Sequence, residues 1–72
     1  MIRALNDYTF EAYTAGAVAM SAALYSSQGH LVASASQAGN TVTISAAGQS
    51  KGVYILRISD GKQTHAQKVV VR

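Results

Sequence analysis

The last third of the chain reads as two strand-like segments joined by a tight turn. Gly52-Val53-Tyr54-Ile55-Leu56-Arg57-Ile58 leads into Asp60-Gly61-Lys62, and Gln67-Lys68-Val69-Val70-Val71-Arg72 carries the pattern to the final residue. Alternation with period two places successive side chains on opposite faces of a sheet, a spacing that a helix does not use. The first segment has Tyr54, Leu56 and Ile58 on one face and Val53, Ile55 and Arg57 on the other. Both faces are partly apolar, which predicts a central strand. Most domains let their final residues fray, yet here three valines stand between two cations. Such an end is pinned into a sheet, read by something else, or both.

The rest of the chain repeats the pattern. Tyr8 to Thr14 alternates, with Tyr8, Phe10 and Ala12 on one face. Val18 to Ser26 puts Val18, Met20, Ala22 and Leu24 together, although its alanines also suit a helix. Leu31 to Ser36 follows a Ser26-Ser27-Gln28-Gly29 turn, and the β-branched run Thr41 to Ser45 follows Gln37-Ala38-Gly39-Asn40. Asp60-Gly61 between two strands predicts a type I′ hairpin, which needs positive φ at both central residues. Short strands separated by glycine-centred turns, in a chain with no proline, predict a small antiparallel β-sandwich of six or seven strands. In the final segment Val69 and Val71 share a face with Gln67 and His65, which suit a core poorly. A bulge, or a core contact by the last few residues alone, would resolve that conflict.

With 72 residues there is room for a single domain, 1–72, and one modest core. Met1 reads as a start residue added to a segment of a longer parent. The expected core is Tyr8, Phe10, Val18, Met20, Leu24, Leu31, Val42, Ile44, Tyr54, Leu56, Ile58 and the terminal valines. Without cysteine, no disulfide or thiolate metal site supports it. Charged residues are 12% of the chain, against an average of about 25%. The net charge is +3, but Arg3, Lys51, Arg57, Lys62, Lys68 and Arg72 are scattered, unlike the clustered cations and aromatics of a nucleic-acid surface. No apolar run reaches the ~20 residues of a membrane-spanning helix, and the beginning lacks the layout of a secretory signal.

Catalytic and metal chemistry find little support. Ser59-Asp60-Gly61-Lys62 has Ser-x-x-Lys spacing, but across a hairpin turn its side chains diverge instead of stacking along a helix. His30 and His65 are the only histidines and lie far apart, which makes a poor metal site. Asp7, Glu11 and Asp60 form no spaced pair for acid–base work. Neither an enzyme nor a cofactor is expected. Gly29, Gly39 and Gly61 serve turns, Gly52 opens a strand, and Tyr54 anchors the core with its hydroxyl on a backbone partner.

Leu24-Tyr25-Ser26-Ser27-Gln28-Gly29-His30-Leu31-Val32, Gly52-Val53-Tyr54, Gly61-Lys62 and Lys68-Val69-Val70-Val71-Arg72, in this order, resemble the C-terminal sorting domain of type IX secretion cargo of Bacteroidetes such as Porphyromonas. The resemblance runs from about Val18 onward and departs from the family in lacking an early Asn-Pro segment. It implies an Ig-like sandwich that carries a cargo through the periplasm to an outer-membrane translocon, with shuttle proteins, and on to the cell surface or the medium. There a sortase-like cysteine protease would remove it at or before its N-terminal end. Carried over residue by residue, the recognition elements would be Gly52, Tyr54, Gly61, Lys68, Val69, Val70, Val71 and Arg72, with Gly29 secondary. Lys68 and Arg72 add little to a core and would set the register on a partner. Two other readings remain: an Ig-like carbohydrate- or protein-binding module using Tyr13 and Tyr25, and a homodimer formed through an exposed strand edge.

Overall fold

A computed structural model describes residues 1–72 as seven strands and no helix. They are β1 (Ile2–Ala4), β2 (Thr9–Tyr13), β3 (Ala19–Tyr25), β4 (Leu31–Ala38), β5 (Thr41–Ser45), β6 (Gly52–Ser59) and β7 (Thr64–Val71). All pairings are antiparallel. The order β1-β2-β5 makes one sheet and β4-β3-β6-β7 the other, so the predicted sandwich is the fold, with β6 an interior strand as its two-faced apolarity requires. The fourth strand pairs with the third, whereas in a constant-type immunoglobulin domain it joins the other sheet. The alanine-rich Ala19–Tyr25 segment is a strand: one alternate set, Met20, Ala22 and Leu24, faces the core. The strand that the alternation does not reveal is β1, three residues that add to the edge of β2.

The core is a single cluster centred on Met20, Leu24, Val42 and Leu56, with Phe10, Ile44, Tyr54, Ile58, Val69 and Val71 around them. Four expected members lie outside it, each for a local reason. The Asn6 side chain accepts the Tyr8 N–H at 3.0 Å, so β2 starts at Thr9 and Tyr8 stays in the preceding bend, largely exposed. Val18 lies beyond the start of β3 and is 85% exposed. Leu31 is turned outward by a register shift: Tyr25 pairs with Leu31 where continuous alternation would give Val32. One residue of slip exchanges faces, and Val32 packs toward the core instead. Val70 points away from the core between its two buried neighbours. Ala12, Ala22 and Ala46 take up core positions, small residues that suit a thin sandwich.

Tyr54 is buried, and its hydroxyl donates to the Ser50 carbonyl at 2.6 Å. A tyrosine near the start of a sandwich's sixth strand, tied to the backbone just upstream, fixes the corner where the chain passes from one sheet to the other. The β6–β7 turn departs from the type I′ expectation. Positive φ occurs at Gly61 (90°) but at no non-glycine residue, so Asp60 does not adopt it. The Asp60 carboxylate shapes the loop instead, its Oδ1 accepting the N–H groups of Gln63 at 2.7 Å and Lys62 at 2.9 Å. These bonds favour the ionised form and hold the Asp60 pKa below its ordinary value, the Gln63 contact contributing most.

Candidate functional site

Pairing of β6 with β7 is unbroken from Gly52↔Val71 to Ser59↔Thr64. The conflict on the final strand is therefore resolved without a bulge: Val69 and Val71 alone reach the core, and Thr64 to Lys68 are exposed. β7 is the outermost strand of its sheet, with β6 its only partner. In an antiparallel ladder, one residue exchanges hydrogen bonds with the neighbour and the next turns its N–H and C=O outward. Asp60 N–H donates to the Gln63 carbonyl at 3.1 Å, which sets the phase. In that phase His65, Gln67, Val69 and Val71 bond to β6, while Thr64, Ala66, Lys68 and Val70 present their backbone groups at the free edge. Arg72 confirms it. Its N–H turns outward and donates to the Asp7 carbonyl at 3.0 Å, tying the strand's end to the β1–β2 connection.

The free edge borders a groove of about 440 Å³, walled on the opposite side by β1. Phe10 lies in its lining, with Ile2 and Ala4 from β1 and Val69, Lys68 and Arg72 from the last strand and its end. A smaller hollow continues past Ile58 and Ala66. β1 has a free edge of its own. Met1 accepts the Tyr13 N–H and Leu5 donates to the Thr9 carbonyl, so alternation turns the backbone of Ile2 and Ala4 outward. Arg3 is held to Glu11 at 2.9 Å. Asp7 is the only carboxylate lining the groove, against Arg3, Lys68 and Arg72.

The nine residues carried over from the sequence fall into three places. Lys68, Val70 and Arg72 are exposed on the edge strand or its end. Val69 and Val71 anchor that strand, and Tyr54, paired with Val69, is buried beside them. Gly52 opens β6 opposite Val71 at φ 149°, a conformation that a side chain would strain. Gly61 stands in the loop at the far end of the hairpin, and Gly29 in the separate β3–β4 turn, where its N–H donates to the Ser26 carbonyl. Alternation along the strands did not disclose Thr64, Ala66 or the β1 wall, because it assigns faces of a sheet and not its edges. Arg57 was visible on its face, but its pairing with Ala66 places it next to the free edge.

Tyr13 and Tyr25 are not brought together. Each is on the outward face of its strand, one in each sheet, so they occupy opposite sides of the sandwich. Ser59 and Lys62 bracket a hairpin loop, and the Ser59 hydroxyl accepts the Gly61 N–H. His30 lies in the β3–β4 turn and His65 on β7.

A strand edge, a groove and a set of cations lie together on this side of the sandwich. The chain belongs to the family of secretion system C-terminal sorting domains, which it matches over residues 7–72. The match takes in β2, upstream of the Val18 start of the sequence resemblance, and leaves β1 just outside. Membership makes the domain a type IX secretion sorting signal that works with that machinery and directs export to the cell surface or beyond. No curated protein and no solved structure matches the chain at a significant level.

Proposed function

We propose that residues 1–72 are a non-catalytic address at the end of a longer cargo protein, read in the periplasm by the type IX outer-membrane translocon and its shuttle proteins. The family match across β2 to β7 carries this reading. Within it, Lys68, Val70 and Arg72 touch the partner. Val69 and Val71 hold the strand in place, and Gly52, Tyr54, Gly61 and Gly29 shape the corners and turns that present it. A sortase-like cysteine protease then removes the domain at its N-terminal end. A cut before Ile2 leaves the β1–β2 pairing intact, whereas a cut between Leu5 and Tyr8 strips β1 from the sandwich.

Deleting Lys68 to Arg72 from the parent is expected to trap cargo in the periplasm. That deletion also removes Val69 and Val71 from the core, so the Lys68→Ala/Arg72→Ala double variant is the cleaner companion. Its fold is expected to persist while surface delivery falls. Normal surface delivery of cargo lacking all five residues would contradict the proposal.

A further inference from the structure

We infer that the free edge of β7 is an acceptor for an extended strand of alternating apolar and acidic residues from a different protein, joined backbone to backbone at Thr64, Ala66, Lys68 and Val70. The inference rests on the sorting role proposed above and specifies how the address is read. Three observations carry it.

The first is the unpaired backbone. From Thr64 to Val70 the edge offers about 23 Å of strand at roughly 3.3 Å per residue, with outward N–H and C=O groups in register and no covering element. An unpaired edge of this length is a template for strand addition. Because Val69 and Val71 are buried and Arg72 is tied to Asp7, the template is held in place before a partner arrives, which lowers the ordering cost of binding.

The second is the groove beside it. A strand added to β7 directs alternate side chains toward the hollow, whose apolar lining is Ile2, Ala4, Phe10 and Val69 and whose polar lining includes Arg3, Asp7, Lys68 and Arg72. The remaining side chains lie on the outer face, beside Lys68 and Val70. Apolar residues fit the first set of positions.

The third is charge, which decides what fits the second set. Lys68 is on the edge itself, Arg57 is one strand in and opposite Ala66, and Arg72 follows at the end. The outward positions of β6 and β7 hold no carboxylate. Glutamate or aspartate on the incoming strand meets Lys68 and Arg57, neither of which is ion-paired, which favours association and fixes register. A second copy of this chain would bring two sets of Lys68, Arg57 and Arg72 together. Lysine on an edge is a common guard against such self-pairing, so the residue that attracts an acidic strand also keeps the chain from adding to itself.

The test uses the ¹⁵N-labelled 72-residue chain titrated with an eight-residue peptide of alternating valine and glutamate, and with its lysine counterpart. The acidic peptide is expected to shift and protect the amides of Thr64, Ala66, Lys68 and Val70, while His65, Gln67 and Val69, already paired, change little in protection. Ala66→Pro is the diagnostic variant. Proline is tolerated where an edge N–H faces solvent, so the sandwich should stay folded while peptide affinity drops at least about tenfold. Lys68→Glu should weaken the preference for the acidic peptide, and light scattering should show wild type as a monomer. The inference is overturned if the acidic peptide does not bind at millimolar concentration, if folded Ala66→Pro binds it equally, if both peptides bind alike, or if wild type dimerises through β7. In the parent protein, Ala66→Pro delivered normally beside a trapped Lys68–Arg72 deletion would reject strand addition and leave the sorting role standing. Normal delivery of both would reject the sorting role itself.

Discussion

On one side of the sandwich the chain itself crosses between sheets. The β4–β5 connection turns through Gly39 and Asn40, Gly39 N–H donates to Val18, Asn40 accepts from Thr14, and Gln37 Oε1 takes the Thr43 N–H at 2.8 Å. On the other side two edge strands, β1 and β7, face each other across a groove, and Arg72 N–H to Asp7 C=O is the bond that ties the end of β7 to the β1–β2 connection. The same fold thus has a side sealed by covalent connection and a side left open, and the conspicuous sequence at the end of the chain forms the open one. Burying the apolar core of a small domain leaves few groups to spare. The structure sets one strand aside by anchoring it through two valines and leaving the rest of its backbone unpaired.

The largest contrast is expected from core truncations on the two sides. Ile44→Ala on β5, buried beside the sealed edge, should cost about 3 kcal/mol, as Ile-to-Ala changes in cores do. Val71→Ala on the open side should cost about 1.5 kcal/mol, with fewer methylenes lost. Urea denaturation of both variants would measure the pair, and a cost per deleted carbon at Val71 equal to that at Ile44 would mean that the open side is as tightly packed as the sealed one. Tyr54→Phe should come next, about 1 kcal/mol for the lost bond to the Ser50 carbonyl. It is read as a lowered Tm, with secondary structure unchanged.

The smallest effect lies at the loop that starts β7. The Asp60 pKa is depressed in the folded chain by the Gln63 and Lys62 N–H groups. A depressed carboxylate adds stability above its unfolded pKa of about 3.9 and loses it as pH falls through the lower folded value. Asp60→Asn should therefore lower Tm slightly at neutral pH, and the difference should vanish in acid below the folded pKa. A difference independent of pH would show that charge plays no part in the loop.

How far the sequence discloses this architecture follows from what alternation encodes. Phe10, Met20, Leu24, Ile44, Leu56 and Ile58 are core residues by period and by structure. Leu31 fails because a register shift between Leu24 and Tyr25 exchanges faces, and nothing in the composition of β4 marks it. Asp60-Gly61 suggests a turn correctly and its type wrongly, since the aspartate supplies hydrogen-bond acceptors and not positive φ. The site is divided in the same way. Lys68 to Arg72 stand out as residues, whereas the free edge at Thr64 and Ala66 exists only once β7 is known to be outermost and β1 is known to be a strand.

An edge strand that is anchored on one side and open on the other is tested most directly by residue-by-residue amide hydrogen exchange. His65, Gln67, Val69 and Val71 should exchange slowly, and Thr64, Ala66, Lys68 and Val70 fast, in strict alternation along the strand. Uniform protection would mean that the edge is covered, and uniform fast exchange that the strand is frayed; either result would contradict an edge held ready for a partner.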